Sequence, residues 1–215
     1  MAMTLRVVVP PHPLIGHWLS VLRDRDTPGP LYATAMAELG RWLTYEALRQ
    51  WLPHRGVQLR TELATTEGQV VDSTVPLLAC VLGTDALGLW DGARPVLPTS
   101  RVLHLTQADP VLPSDLDRRS GVLVFTSEVA SGRSLRRLIE RLAELGLTGE
   151  RLRVITPLVA SPGLQLLGEC APDLTLHTAC IDPELDGEGR IRPGIGSVAN
   201  RLFAGHNLEP VDRAA

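Results

Sequence analysis

Residues 75–82 read Val-Pro-Leu-Leu-Ala-Cys-Val-Leu, an uncharged run that Gly83 closes. A run of this length without polar alternation suits a strand buried on both faces, as in a parallel sheet. The same pattern recurs at Val122–Phe125, Val154–Ala160 and Leu174–Ile181, with short β-rich runs at Val7–Val9 and Arg101–Leu105. Helical spacing separates them. Met36, Leu39, Leu43, Ala47 and Trp51 predict a long helix from about Leu31 to Trp51, closed by Pro53 and Gly56. Leu135, Leu138, Ile139, Leu142 and Leu145 predict an amphipathic helix capped by Gly146. A short helix is expected after His12, a helix start at Thr84–Trp90 and a helical turn at Val198–Phe203. A strand and loop fill the stretch before Val75, and the turn-rich segment Gln107–Arg119 reads as a loop. This alternation predicts an α/β fold with a mainly parallel central sheet flanked by helices. At 215 residues and 44% hydrophobic content, residues 1–215 are expected to form one domain.

The net charge of −3 argues against a nucleic-acid partner. All 21 basic residues are arginine, so no lysine is available for a Schiff base or a phosphate clamp. Cys80, Cys170 and Cys180 match no zinc or disulfide spacing and read as reduced core thiols. With no leader pattern and no long apolar run, the expectation is a cytoplasmic protein without a membrane partner.

The run at Val122–Phe125 leads into Thr126-Ser127-Glu128-Val129 and then Ala130-Ser131-Gly132-Arg133-Ser134, just before the amphipathic helix. Small residues let an anion approach the unpaired N–H groups and partial positive charge of a helix start. Ala130 to Ser134 are therefore the candidate phosphate-binding residues, with hydroxyl donors at Ser131 and Ser134.

This loop resembles the PRPP-binding loop of type I phosphoribosyltransferases, and more of the chain is similar to one of their families, uracil phosphoribosyltransferase. His12-Pro13-Leu14-Ile15, Leu22-Arg23-Asp24, Thr44-Tyr45-Glu46-Ala47 and Arg101-Val102-Leu103-His104 resemble its segments in order. Ala160-Ser161-Pro162-Gly163, Pro172-Asp173 and Thr178–Asp182 follow. Ile191-Arg192-Pro193-Gly194-Ile195-Gly196 and Asn200-Arg201-Leu202-Phe203 resemble its C-terminal uracil-binding signature. The resemblance spans roughly residues 7–206 and implies the type I phosphoribosyltransferase fold, with a small hood built from the N- and C-terminal segments. It places a uracil pocket at Ile191, Pro193, Gly194, Ile195 and Gly196. It further implies transfer of ribose 5-phosphate from magnesium-bound PRPP to uracil, and a homodimer.

Several charged positions of the family pattern are altered. Thr126 stands where the resemblance places an acid that grips the ribose hydroxyls. Ala79 replaces an arginine expected to hold pyrophosphate, and no arginine follows His104 in Leu105–Asp109. Ser197 and Asn200 replace two further acids, one of them expected to act through magnesium-bound water. Glu128 is nearby, but strand alternation sends neighbours to opposite sides, and rescue by Glu128 would need a changed loop course. The segment between His104 and Thr126, a hairpin arm in the family, is shortened here.

These losses give no confident catalytic residue, no metal site and no expected cofactor. The expectation is a family member that has lost most or all transferase activity and serves as a binding or scaffold protein. It would carry a phosphate or nucleotide ligand and an unidentified protein partner. An active uracil phosphoribosyltransferase with rearranged ligands, then using magnesium, is the alternative, and a nucleotide-sensing regulator is a third reading. The other constellations read as structural. His12 and His17 lack carboxylate neighbours, and Asp182, Glu184, Asp186 and Glu188 fail the spacing of a cation loop. Ser127 or Ser131 would need His104 or His177 to act as a nucleophile. Trp18, Trp42, Trp51 and Trp90 are expected in packing.

Overall fold

A computed structural model describes residues 5–97, 99–106 and 110–203. Six strands form one sheet: β1 (Arg6–Val8), β4 (Leu77–Leu82), β5 (Arg101–Leu105), β6 (Gly121–Thr126), β7 (Leu152–Ala160) and β8 (Thr175–Asp182). Their order is β1-β8-β7-β6-β4-β5, and every pairing is parallel. All six residues of β4 and all six of β6 are buried, as the unbroken apolar runs require. Each fully buried Leu, Val or Phe side chain contributes about 1.5–3 kcal/mol.

Alternation along the strands divides the core in two. Leu123, Phe125 and Ile155 pack beneath α1 (Pro13–Arg23), α2 (Gly29–Leu48) and α3 (Leu87–Ala93). Val122, Val124 and Val154 pack against α4 (Arg133–Glu144) and α5 (Ser161–Cys170) through Leu135, Leu138, Leu142 and Leu167. Trp90 is buried with its ring edge-on to Phe125, 5.4 Å between centroids. Trp18, Trp42 and Trp51 are half-buried against the same core, so the tryptophans pack as expected.

Residues 54–71 were legible only as a strand and loop. They form an antiparallel hairpin of β2 (His54–Arg60) and β3 (Thr65–Val71) that lies outside the main sheet. Leu63 at its tip is 95% exposed. The segment expected to hold a shortened arm is irregular from Pro110 to Ser120, while residues 107–109 lie outside the described residues. The helix α5 was not expected; Pro162 at its first turn has the fixed φ that suits a helix start. Cys80 is a core thiol, pushed up to about 12 by burial, but Cys170 is exposed and Cys180 half-buried, against the expectation for all three. Among the described residues, no helix is long and apolar enough to cross a membrane.

The last described segment folds back over the carboxyl edge of the sheet. A short ribbon of β9 (Glu184–Leu185) and β10 (Ile191–Arg192) precedes α6 (Val198–Phe203). Arg201 ties this segment to the α1–α2 connection by donating to the carbonyls of Leu22, Asp24 and Thr27 at 2.8, 2.7 and 3.1 Å. Its guanidinium lies 4.2 Å over the Tyr32 ring, and the Tyr32 hydroxyl donates to the Ile195 carbonyl at 3.3 Å.

Candidate active site

From β4 the chain first runs outward to β5, then returns across β4 to β6 and proceeds through β7 and β8. The switch point lies between β4 and β6, and in open α/β sheets ligands bind outside the carboxyl ends of strands there. The residues leaving those two strands are Asp85, in a tight turn before α3, and the segment from Thr126 to Ser134.

Thr126 and Ala130, Ser131, Gly132, Arg133 and Ser134 line one cavity of about 130 Å³. The loop is fixed from behind. The Val129 amide donates to the Leu158 carbonyl at 2.9 Å, and the Ala160 amide donates back to Val129 at 2.9 Å. Gly132 has φ +77°, and a Cβ there would stand 3.1 Å from the Gly163 carbonyl oxygen. Glycine is therefore required by both conformation and space. It precedes the first turn of α4, which carries no acidic residue and no side-chain cap, so its N–H groups are open to an anion.

A second cavity of about 480 Å³ adjoins the first. Ile191, Pro193, Ile195, Gly196 and Ser197 line it, as do Arg190 and Arg192. Gly194 stands behind this wall with φ +71°; a Cβ would meet the Ile191 carbonyl oxygen at 2.3 Å. Its amide donates to Asp182 at 2.9 Å, and Asp182 also pairs with Arg23. Arg192 is exposed and lies 3.7 Å from Glu184, and Arg190 pairs with Asp186 at 2.8 Å.

Asp85 and Glu128 line both cavities. Strand alternation was expected to turn Glu128 away, and the structure corrects this. The strand β6 stops at Thr126, Ser127 makes a bend, and the Thr126 hydroxyl donates to the Glu128 carbonyl at 3.2 Å. Residues two apart in an extended segment share a side, so Glu128 lines the cleft together with Thr126. Burial, and then the charge of Asp85, push the Glu128 carboxyl up to about 7. Ser127 donates its hydroxyl to Asp85 Oδ2. Asp85 escaped the sequence reading, although its place two residues beyond the glycine closing a buried run marks the carboxyl end of a central strand.

The altered family positions separate. Thr126 and Ser197 face the cavities. Ala79 does not: it is fully buried in mid-strand, paired with Val102 and Leu123, and belongs to the core beneath α2 and α3. Asn200 is exposed on α6 and lines neither cavity; its amide reaches Ser197 Oγ at 3.5 Å. The remaining candidates are structural. His12 caps α1 by accepting from the Leu14 amide at 3.2 Å and stacks on Trp42, while His17 meets Trp18 edge-on. Asp186 accepts from the amides of Glu188 and Arg190, both at 2.9 Å, which makes its acidic segment a turn. Neither His104, exposed on β5, nor His177, near the amino end of β8, is joined to Ser127 or Ser131. Among the described residues, no group of three or more His, Cys, Asp or Glu gathers as a metal site.

A parallel sheet with a small-residue anion loop at its switch point, beside a hooded second cavity, has the architecture of a type I phosphoribosyltransferase. The family model for uracil phosphoribosyltransferase matches residues 9–205, and the chain belongs to that family. The uracil phosphoribosyltransferase of Synechococcus elongatus is 43% identical over 214 residues, covering 94% of this chain and 99% of the relative. The chloroplastic one of Arabidopsis thaliana is 35% identical over 208 residues, covering 92% and 70%. A solved structure of an Aquifex aeolicus protein superposes with a TM-score of 0.77 at 22% identity, covering 92% of this chain and 98% of that one, which shows the shared fold.

Proposed function

We propose that this chain is an active uracil phosphoribosyltransferase, joining uracil to PRPP to form UMP and pyrophosphate. The observation that carries this reading is the shared position of Asp85 and Glu128 where the two cavities meet. The reaction breaks the bond from the anomeric carbon to the pyrophosphate oxygen, which leaves with the electron pair, and forms the bond to the ring nitrogen of uracil. Positive charge develops on the ribose between phosphate and base, and fixed carboxylates at that point stabilise it. The loop amides from Ser131 to Ser134 would hold the 5′-phosphate, and the Ile191–Gly196 wall would hold the base.

Magnesium, which the family implies, fits the donor set. The carboxyl groups of Asp85 and Glu128 stand beside the space for a substrate's phosphates, and magnesium is commonly held by one or two carboxylates plus substrate oxygens. Asp85 and Glu128 would hold it, and it would supply neutralisation of the leaving pyrophosphate.

A second reading, binding without turnover, draws on the uncharged side chains of Thr126 and Ser197 in the cavities. Incubating the protein with uracil, PRPP and magnesium and following UMP by chromatography separates the two. Turnover that collapses in Glu128→Gln supports the transferase. Absence of UMP, with calorimetric binding of UMP intact, supports the binding protein.

A further inference from the structure

The amino-terminal end of the sheet carries a second constellation, independent of the reaction above. In register, Thr175 lies between Arg6 and Arg153, and His177 between Val8 and Ile155. Residues in register on neighbouring strands, and residues two apart on one strand, share a sheet face. Arg6, Arg153, Thr175 and His177 therefore point the same way, beneath the C-terminal end of α2. They wall a cavity of about 400 Å³, closed on the helix side by Glu46 and Trp51. From His177 to Asp182 at the opposite edge the strand rises about 16 Å, so this cavity is remote from the uracil pocket.

Three arginines, Arg6, Arg49 and Arg153, and two glutamates, Glu46 and Glu150, line this cavity, so positive charge is in excess by one. Arg153 donates to the carbonyls of Glu150 and Leu152 at 2.7 and 3.0 Å, and its guanidinium lies 5.4 Å over the Trp51 ring. Glu46 is engaged by Arg49 at 2.5 Å, and Glu150 meets Arg153 through its backbone carbonyl. Neither Arg6 nor Arg153 makes an ion pair with a carboxylate among the described residues. His177 is only 5% exposed, and its Nδ1 is buried without a hydrogen-bond partner. Burial, then Arg153 and Arg6, push its imidazole down to about 4, against a smaller opposing pull from Glu46, so the ring is neutral near pH 7. Buried polar groups are nearly always paired, and here the Arg6 guanidinium has no carboxylate partner, Arg153 is met by backbone carbonyls alone and His177 Nδ1 has no partner.

We propose that this cavity is a second anion site that takes a phosphate group, with Arg6, Arg153 and the imidazole of His177 as its donors. Planar guanidinium forks suit the oxygens of a tetrahedral oxyanion, and the space exceeds that of one free ion, leaving room for an esterified group.

The test is histidine NMR on the full chain with ¹³C-labelled imidazoles. The His177 signal is assigned by its loss in His177→Gln, or by its low pKa should that variant fail to fold. Inorganic phosphate and methyl phosphate are titrated separately. The expected result is a saturable His177 shift with a Kd of about 1 mM or tighter, and an upward move of its pKa, because a bound anion favours the imidazolium form. Tighter binding of the ester identifies a phosphomonoester as the occupant; tighter inorganic phosphate identifies the free ion. Arg6→Met, at an exposed position, is expected to weaken the effect at least about tenfold while leaving UMP formation as it was. Gly132→Val is expected to leave the His177 shift intact. A His177 signal that neither anion moves, a shift unchanged by Arg6→Met, or one that disappears with Gly132→Val overturns the proposal.

Discussion

Asp182 grips Arg23 with both carboxylate oxygens, at 2.6 and 3.0 Å, while one of those oxygens accepts the Gly194 amide at 2.9 Å. One carboxylate at the end of β8 thus joins the first helix to the wall of the second cavity, proposed above to hold uracil. Burial alone would raise this carboxyl, but the hydrogen bonds from Arg23 and the Gly194 amide outweigh it and hold it below its ordinary value. A depressed carboxyl contributes stability that is present above its unfolded pKa and is lost as pH falls through the folded one. Asp182→Asn is expected to cost about 3 kcal/mol, because it leaves Arg23 without its partner. Urea melts at pH 7 and pH 3 should show the difference between variant and wild type shrinking in acid.

Glu128 behaves in the opposite sense. Its carboxyl titrates at about 7 in the fold and near the ordinary carboxylate value in the unfolded chain. The unfolded chain therefore releases this proton first, and stability falls as pH rises from roughly 4.5 to 7. Glu128→Gln should remove that slope, leaving the variant more stable than wild type at pH 8 by up to about 3 kcal/mol. Its UMP formation should fall by about two orders of magnitude. Thermal melts at pH 5 and 8, set beside initial rates, check both signs.

Restoring the family's acid at the end of β6 gives a discriminating case. Thr126 is 4% exposed, and its hydroxyl donates to the Glu128 carbonyl. Thr126→Asp deletes that donor and adds a charge near Asp85 and Glu128, so it should destabilise by about 2 kcal/mol without raising turnover. A gain in rate would show that Asp85 and Glu128 do not replace the missing group.

At Gly132, Ala must adopt a left-handed conformation and press on the Gly163 carbonyl. Gly132→Ala is expected to cost about 1–2 kcal/mol and to weaken PRPP binding at least about tenfold. Calorimetry with PRPP, alongside a melt, separates the two effects.

The sheet was legible because its strands are buried on both faces, so their runs stand out whatever the surroundings. The hairpin at His54–Val71 was not, because its largely exposed residues give no strong periodicity. The loop before α4 could be read from its small residues and the amphipathic helix behind it. The acids beside it could not. Glu128 depends on where β6 stops, a backbone event fixed by the Thr126 hydroxyl and by Val129 joining β7. Asp85 depends on which strand lies next to β6, a long-range pairing that local sequence does not encode. Ala79 shows the converse, since alignment to a motif names a position while only the sheet register shows that it faces the core.

Val129 is bridged to Val159 and exchanges two backbone hydrogen bonds with β7, which makes the anion loop an additional rung of the sheet. That bond pair anchors the start of the loop at Val129. A phosphate bound there, as proposed above, would meet a loop already anchored at Val129 and would cost little ordering entropy; the Val129 and Ala160 amides should exchange with deuterium about as slowly as those of the central strands, with or without ligand, while the unpaired amides from Ser131 to Ser134 should exchange fast without ligand and slow when it binds.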